Sequence, residues 1–217
     1  MTDSKGTFIK DGKITYQWAK QKTAMKFAKQ YIPDFHEKTF VDIGAHVGLW
    51  SMWWGKVMNH VVAFEPIPEM CLLYEMNCRN IRHSLHETAL SDEFGEIELH
   101  FNPENTGNTH TAHDKDVGGR KQTVIVRMLD QILPPILGTS RVGAMKIDCE
   151  GFEEKIVRGA KAVIEAHKPL IIVEQKKGTA YYGFNPTGAA DYLETLGYQT
   201  LKVMSGDHIM VHKDYLP

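Results

Sequence analysis

The chain has few cysteines, no long apolar run, little net charge and neither of the common phosphate-binding glycine motifs, and each lack narrows what it can be. Its three cysteines, Cys71, Cys78 and Cys149, are odd in number and lack metal-ligand spacing, which argues against a disulfide scaffold and a zinc site. The opening MTDSKGTFIK carries no apolar signal-peptide core, so a reducing, cytoplasmic setting is expected. No run of about 18 apolar residues occurs, so no membrane span is expected. The formal net charge is −2, which leaves no electrostatic footprint for nucleic acid over the chain as a whole. One stretch departs from this balance: between Lys5 and Lys29 seven lysines face only Asp11. It can meet an anionic partner, and reads more simply as a solvated helix face.

What is present fits one packed domain. A length of 217 residues with 42% hydrophobic and 24% charged residues is ordinary for a globular α/β protein. A polar amphipathic helix is predicted from Ile14 to Tyr31, ended by Pro33. TFVDIG (39–44), HVVAFEP (60–66), SLHETAL (84–90), VGAMKID (142–148) and PLIIVEQ (169–175) read as buried strands. Helices are predicted between them over 47–58, 68–80 and 152–166, and a further one over 187–196. EIELHF (96–101) and QTVIVRML (122–129) alternate apolar and polar residues, the period of half-exposed strands, and form an antiparallel excursion with a long polar stretch between them. YQTLKVM and HIMVHK close the chain around Ser205-Gly206-Asp207. The alternation predicts a mostly parallel sheet covered on both faces, with an antiparallel edge.

VDIGAHVGLW (41–50) carries the first chemical signal. A strand running through Asp42 into Gly44 and Gly48 and then a helix puts backbone N–H groups and a positive helix end at the carboxyl edge of the sheet, where open α/β sheets bind ligands. The dinucleotide fingerprint is missing, because Ala45, His46 and Val47 separate the glycines, and a Walker lysine is missing too. Asp42, two residues before Gly44, can orient the turn or receive a ligand's amino group, and is unwelcoming to a pyrophosphate. Glu65 ends the second strand about 20 residues beyond the turn, where an acid takes two ribose hydroxyls. Together they favour S-adenosylmethionine, with its sulfonium, amino group and ribose.

VDIGAHVGLWS, VVAFEPIPEM, ETALSDEFGEIEL, MKIDCEGFEEKIVRGA and KPLIIVE resemble the FkbM family of S-adenosylmethionine-dependent methyltransferases, in the family's order from about Phe40 to Glu174. The resemblance implies a Rossmann-like class I methyltransferase fold: a three-layer α/β sandwich on a seven-stranded, mostly parallel sheet with an antiparallel C-terminal hairpin. With it the excursion becomes a β-hairpin inserted after the third strand, residues 1–36 an N-terminal helical segment packed on the core, and 37–217 the methyltransferase domain. It implies a cofactor site at Asp42, Gly44, Ala45, His46, Gly48, Glu65, Pro66, Asp148 and, beside the adenine, Ala89 to Asp92. Asp148, Glu150, Gly151 and Glu153 match the family's Ile-Asp-x-Glu-Gly-x-Glu signature. His46 departs from it: the family generally has Asn there, and an imidazole makes that contact pH-dependent.

Asp148, Glu150 and Glu174 end or follow adjacent parallel strands and should meet at the cofactor edge, as the catalytic group. Methyl transfer is an in-line displacement, helped mainly by alignment of the acceptor oxygen, and a carboxylate in reach can take the hydroxyl proton. Asp148 is expected to touch cofactor and acceptor, and Glu150 to be the base or acceptor-orienting group. Glu153 and Glu154 are expected to favour the helix start through its dipole. Some O-methyltransferases hold a divalent ion with comparable acids, but no dedicated metal pattern is present and no metal is expected. His110-x-x-His113-Asp114 reads as a solvated loop. Asn105, Gly107, Asn108 and Thr109 in the polar excursion, and Tyr181, Tyr182, Phe184 and Asn185 after the fifth strand, suit a sugar. Trp50, Trp53 and Trp54 read as core. The expected reaction is O-methylation of a sugar hydroxyl in a glycan, polysaccharide or glycosylated small molecule. The alternatives are ribose methylation of RNA, loosely suggested by Asp148, Glu174, Lys176 and the basic amino terminus, and a binding module without catalysis.

Overall fold

The computed structural model describes residues 2–3, 6–7, 9–10, 13–14, 17–102, 105–111, 120–175 and 185–217, with side chains for 17–100, 120–175 and 185–217. Two short antiparallel ladders, Thr2–Asp3 with Gly6–Thr7 and Ile9–Lys10 with Lys13–Ile14, precede helix α1 (Trp18–Tyr31). The helix begins later than Ile14 because that residue is strand-paired and Gln17 takes a left-handed conformation (φ 47°). Strand β1 (Thr39–Ile43) runs into a loop and the single turn α2 (Ser51–Trp54). The helix expected over 47–58 is this short because Gly44, His46 and Gly48 all have positive φ (72°, 51° and 80°), which uses up its first turn as loop.

Strand β2 (His60–Phe64), helix α3 (Pro68–Cys78) and strand β3 (His83–His86) follow. The single strand expected over 84–90 is divided: β3 stays in the main sheet while β4 (Ala89–Leu90) joins a second one. That second sheet holds β5 (Gly95–Asn102), β6 (Asn105–Thr111) and β7 (Arg120–Arg127) in the order β6-β5-β7-β4. The inserted hairpin is present, with β5 and β7 antiparallel, and β6 is an addition to it inside the stretch expected to be a polar loop. An edge strand pairs through its backbone alone, so the Asn/Thr/Gly run of β6 gives no alternation to announce it.

Helix α4 (Leu129–Leu137) lies where no helix was expected. Pro134 and Pro135 argue against a helix interior, yet Leu129, Leu133 and Leu137, spaced by four, bury one face of it. After β8 (Val142–Ile147) the helix predicted over 152–166 is two helices, α5 (Glu153–Arg158) and α6 (Lys161–His167). They part at Gly159, where a Cβ would fall 2.0 Å from the carbonyl oxygen of Ser91. Strand β9 (Leu170–Glu174), helix α7 (Gly188–Thr195) and the hairpin of β10 (Tyr198–Met204) with β11 (Asp207–His212) complete the chain. Ser205 and Gly206 both have positive φ (53° and 92°), the geometry of a tight two-residue hairpin turn.

The main sheet has seven strands in the order β10-β11-β9-β8-β1-β2-β3, parallel except at β11, which runs antiparallel to both its neighbours. Strands β1, β8 and β9 are buried along their whole length, as parallel strands covered on both faces must be. One face packs Leu129 and Leu133 of α4, Ile156 and Val157 of α5, Ile164 of α6 and Leu193 of α7. The other packs Ala24, Met25 and Ala28 of α1, Trp54 of α2 and Tyr74 of α3. The result is the expected three-layer sandwich. Among the described residues no helix is long and apolar enough to cross a membrane.

Candidate active site

The loop after β1 is built from close approaches. The N–H groups of Gly44 and Ala45 both donate to the carbonyl of Phe64, at 3.0 and 3.1 Å. A Cβ on Gly44 would lie 2.1 Å from the carbonyl oxygen of Asp148, and one on Gly48 2.6 Å from Sγ of Cys78. His46 takes the left-handed conformation between them, which histidine tolerates better than most side chains. Burial, helped by the neighbouring Lys146 charge, pushes its imidazole down to about 4. The ring is therefore neutral through the physiological range in the ligand-free protein.

Glu65 braces this loop from the end of β2. Its Oε2 accepts the His46 N–H at 2.8 Å and its Oε1 the Ile67 N–H at 3.0 Å. It is buried, and burial pushes its carboxyl up to about 7 against the pull of those two amides. Two accepted bonds leave the carboxylate further lone pairs for other donors. Asp42 has no exposed surface. Its Oδ2 accepts the Ser51 hydroxyl at 2.6 Å and its Oδ1 lies 3.6 Å from Nζ of Lys146. Of the two roles expected for Asp42, this arrangement provides the orientation of the turn from behind and does not open the carboxylate to a ligand's amino group. Burial raises its carboxyl, and Lys146 and Ser51 oppose that rise.

Lys146 is the residue that sequence reading missed. From β8 its Nζ donates to the Gly44 carbonyl at 2.7 Å and lies 3.7 Å from Oδ2 of Asp148, with the side chain 7% exposed. It thus ties the carbonyl of the glycine loop to Asp42 on the neighbouring strand and to Asp148 at the end of its own. The signal was a single lysine inside the apolar run VGAMKI, aligned in register with Asp42.

The second loop follows β8. The Asp148 N–H donates to the Ile43 carbonyl at 3.2 Å, which places Asp148 beside the glycine turn. Glu150 and Gly151 both have positive φ (51° and 112°), a conformation that costs a non-glycine residue free energy and collects at functional turns. Glu153 holds it: its Oε1 accepts N–H groups from Cys149 at 2.8 Å and Gly151 at 3.1 Å. Glu153 stands in the first turn of α5, as expected, and at 1% exposure it is also a buried clamp whose carboxyl burial pushes up to about 7. Glu154 is instead bonded by Arg158 one turn on, at 2.7 Å. Glu174 ends β9 at 1% exposure. One oxygen each of Asp148, Glu150 and Glu174 lie within 4.8 Å of one another, so the three expected catalytic acids do come together.

The remaining residues fall out as follows. Pro66 stands half-buried between Glu65 and the start of α3. Ala89 pairs with Val126 in the second sheet. Asp92 accepts the Ser91 hydroxyl at 3.0 Å and lies 3.8 Å from Nζ of Lys155. Trp50 and Trp54 are core, with Trp54 stacked on Phe40 at 4.6 Å. Asn185 bonds Thr187 and Asp191 at the start of α7. His113, Asp114, Lys176, Tyr181, Tyr182 and Phe184 lie outside the described residues.

The donor set fits a cationic, hydroxyl-bearing nucleotide better than a pyrophosphate. Acids line the edge, a carboxylate with lone pairs to offer follows β2, and the buried cation Lys146 is already engaged by Gly44, Asp42 and Asp148. A family model described as the methyltransferase FkbM domain matches residues 42–200. No curated protein matches the chain. Among solved structures, a methyltransferase FkbM from Methylobacillus flagellatus KT is similar at 17% identity with a TM-score of 0.51, over 81% of this chain and 43% of that one. This chain therefore spans less than half the length of that relative. A precorrin-6y C5,15-methyltransferase from Geobacter metallireducens GS-15 is similar at 15% identity with a TM-score of 0.50, over 97% and 95% of the two chains. A ribosomal protein L11 methylase from Lactobacillus delbrueckii subsp. bulgaricus reaches 12% identity and a TM-score of 0.50, over 92% and 80%. At these identities the likeness is one of fold.

Proposed function

Because the chain belongs to the FkbM methyltransferase family, we propose that this S-adenosylmethionine-dependent methyltransferase methylates a hydroxyl, and that the hydroxyl belongs to a sugar in a glycan, polysaccharide or glycosylated small molecule. The observation that carries the reading is the convergence of Asp148, Glu150 and Glu174 on the sheet edge beside the glycine loop. Gly44, Ala45, His46 and Gly48 form the turn on which the cofactor rests, with Asp42 and Lys146 holding that turn from behind. Glu65 accepts the ribose hydroxyls next to Pro66, Ala89 and Asp92 stand toward the adenine, and Asp148 faces the methionine end. Residues 37–217 are the methyltransferase domain in this reading, with α1 of the N-terminal segment 1–36 packed on it.

Bound S-adenosylmethionine supplies a sulfonium-activated methyl group for an in-line displacement at carbon. The chain's own part is to hold the acceptor oxygen in line and to take its proton. Alignment contributes most. Glu150, on the strained turn that Glu153 clamps, receives the hydroxyl proton, and Asp148 and Glu174 orient the acceptor. Ribose methylation of RNA is less well supported, since Lys146, the cation at this edge among the described residues, is engaged by its own acids and the chain as a whole is not basic.

Isothermal titration with S-adenosylmethionine, S-adenosylhomocysteine and NAD tests the reading of the loop. Saturable binding of the two adenosyl compounds without NAD is expected, and binding of NAD alone, or of none, would refute it. Normal cofactor binding with no methylated acceptor in a broad screen would favour a binding module.

A further inference from the structure

Both partners of one buried ion pair lie outside residues 42–200, the segment that the family model matches. Lys20, in the first turn of α1, places Nζ 2.5 Å from Oδ2 of Asp207 at the start of β11, with the side chains 8% and 4% exposed. Asp207 stands directly opposite Glu174 in the antiparallel ladder. Opposite residues leave a sheet on the same face, with Cβ atoms about 4.5–5.5 Å apart. Glu174 is in turn within 4.8 Å of Asp148 and Glu150. Glu174 and Asp207 are buried while Asp148 and Glu150 are half-buried, and buried carboxylates this close to others do not all stay ionised unless positive charge offsets them.

Helix α1 is anchored at the cofactor side as well. The Trp50 indole N–H, two residues past Gly48, donates to Oε1 of Gln17 at 2.9 Å. The rings of Trp18 and Trp53 meet edge-on at 4.9 Å. Behind these contacts Ala24, Met25 and Ala28 enter the core with Phe40, Ile172 and Ile209. One short stretch of helix thus reaches from the glycine loop to the strand end that carries Glu174.

We propose that Lys20 is a positioning residue of the reaction centre, which acts through Asp207 to keep Glu174 ionised and makes α1 a built part of the acceptor side of the site. The functional weight of Glu174 rests on the reading given above; the electrostatic link does not. Among the described residues, the charged groups that the structure places around Glu174 include Asp148 and Glu150 from the turn after β8, Asp207 from β11 and Lys20 from α1, with Lys146 beyond Asp148. Of these groups Lys20 is the cation on the Asp207 side.

The test follows the Glu174 side-chain carboxyl by NMR against pH in the full chain carrying isotope-labelled glutamate, with the resonance assigned by its loss in Glu174→Gln. It needs neither cofactor nor acceptor, so its outcome is separate from that of any methyl-transfer assay. In Lys20→Met the Glu174 midpoint should rise by about 1–3 pH units. In the double variant Lys20→Met, Asp207→Asn, which removes the cation together with the charge it offsets, the midpoint should return to that of the parent. An unmoved midpoint in Lys20→Met, or a rise that the second substitution leaves in place, would overturn the proposal. If Lys20→Met alone does not fold, recovery of a folded spectrum in the double variant is the result expected, and failure of that variant to fold would count against the link.

Discussion

The sharpest consequence of the site concerns Glu65 and pH. In the free protein burial pushes its carboxyl up to about 7, while the ribose hydroxyls proposed to meet it would donate to the ionised form. Binding must therefore release the proton wherever the carboxyl still holds one. Affinity should rise with pH up to about 7 and level off above it. Below the midpoint the loss is about tenfold per pH unit, or about 1.4 kcal/mol per unit. Titration calorimetry with S-adenosylhomocysteine between pH 5.5 and 8.5, in buffers of different ionisation heat, would read both the slope and the released proton. Glu65→Gln should bind more weakly at pH 8, by about 1.5–3 kcal/mol for lost bonds to a charged acceptor, and should lose the slope. His46 does not compete as a cause, since its imidazole stays neutral down to about 4. A flat profile in the parent, or an equal slope in Glu65→Gln, would refute the assignment of Glu65.

Other outcomes follow from the same geometry. Glu150→Gln should keep cofactor affinity and lower turnover by about 10²–10⁴-fold; parent-like turnover would remove Glu150 as the proton acceptor. Gly44→Ala must place a methyl group 2.1 Å from the Asp148 carbonyl at a φ of 72°, so cofactor affinity should fall sharply, and unchanged affinity by calorimetry would contradict the close approach of the two loops. Glu65 and Glu153 sit near 7 in the folded protein against 4.5 when free, so the folded state keeps protons that the unfolded chain has already lost. Their contribution is therefore fully present below about 4.5 and declines as pH rises to about 7, on the order of 3 kcal/mol for each. Urea midpoints of the cofactor-free protein at pH 5 and pH 8 should show that decline, and Glu153→Gln should reduce it. Turnover should survive exhaustive treatment with a chelator; its loss, with recovery on adding a divalent ion, would mean that Asp148, Glu150 and Glu174 work through a metal.

Much of this was legible in the sequence, for reasons that individual residues make plain. Apolar runs such as LIIVE are buried on both faces, and the glycines at 44 and 48 mark where the first strand must turn. Because parallel strands end at one edge, acids just past those ends, such as Asp148 and Glu174, could be brought together without coordinates. Helix α4 was hidden by Pro134 and Pro135, since its leucines hold the face despite them. Strand β6 was hidden because an edge strand needs no apolar partner on either side. The parts played by Lys146 and Glu153 in the two loops were not legible for another reason. A buried lysine between two acids and a glutamate that accepts two amides look, in one dimension, like ordinary surface charges. Their meaning depends on strands and turns that only the fold brings near.

The measurement that bears most directly on the central claim is transfer of a labelled methyl group from S-adenosylmethionine to a panel of neutral glycosides, polysaccharide fragments and RNA, read as a base-stable methyl ether. The account predicts label on a sugar hydroxyl of a glycan or glycosylated small molecule, absent with Glu150→Gln although that variant still binds the cofactor. Label on RNA, or on nitrogen alone, or full transfer by Glu150→Gln, would contradict it.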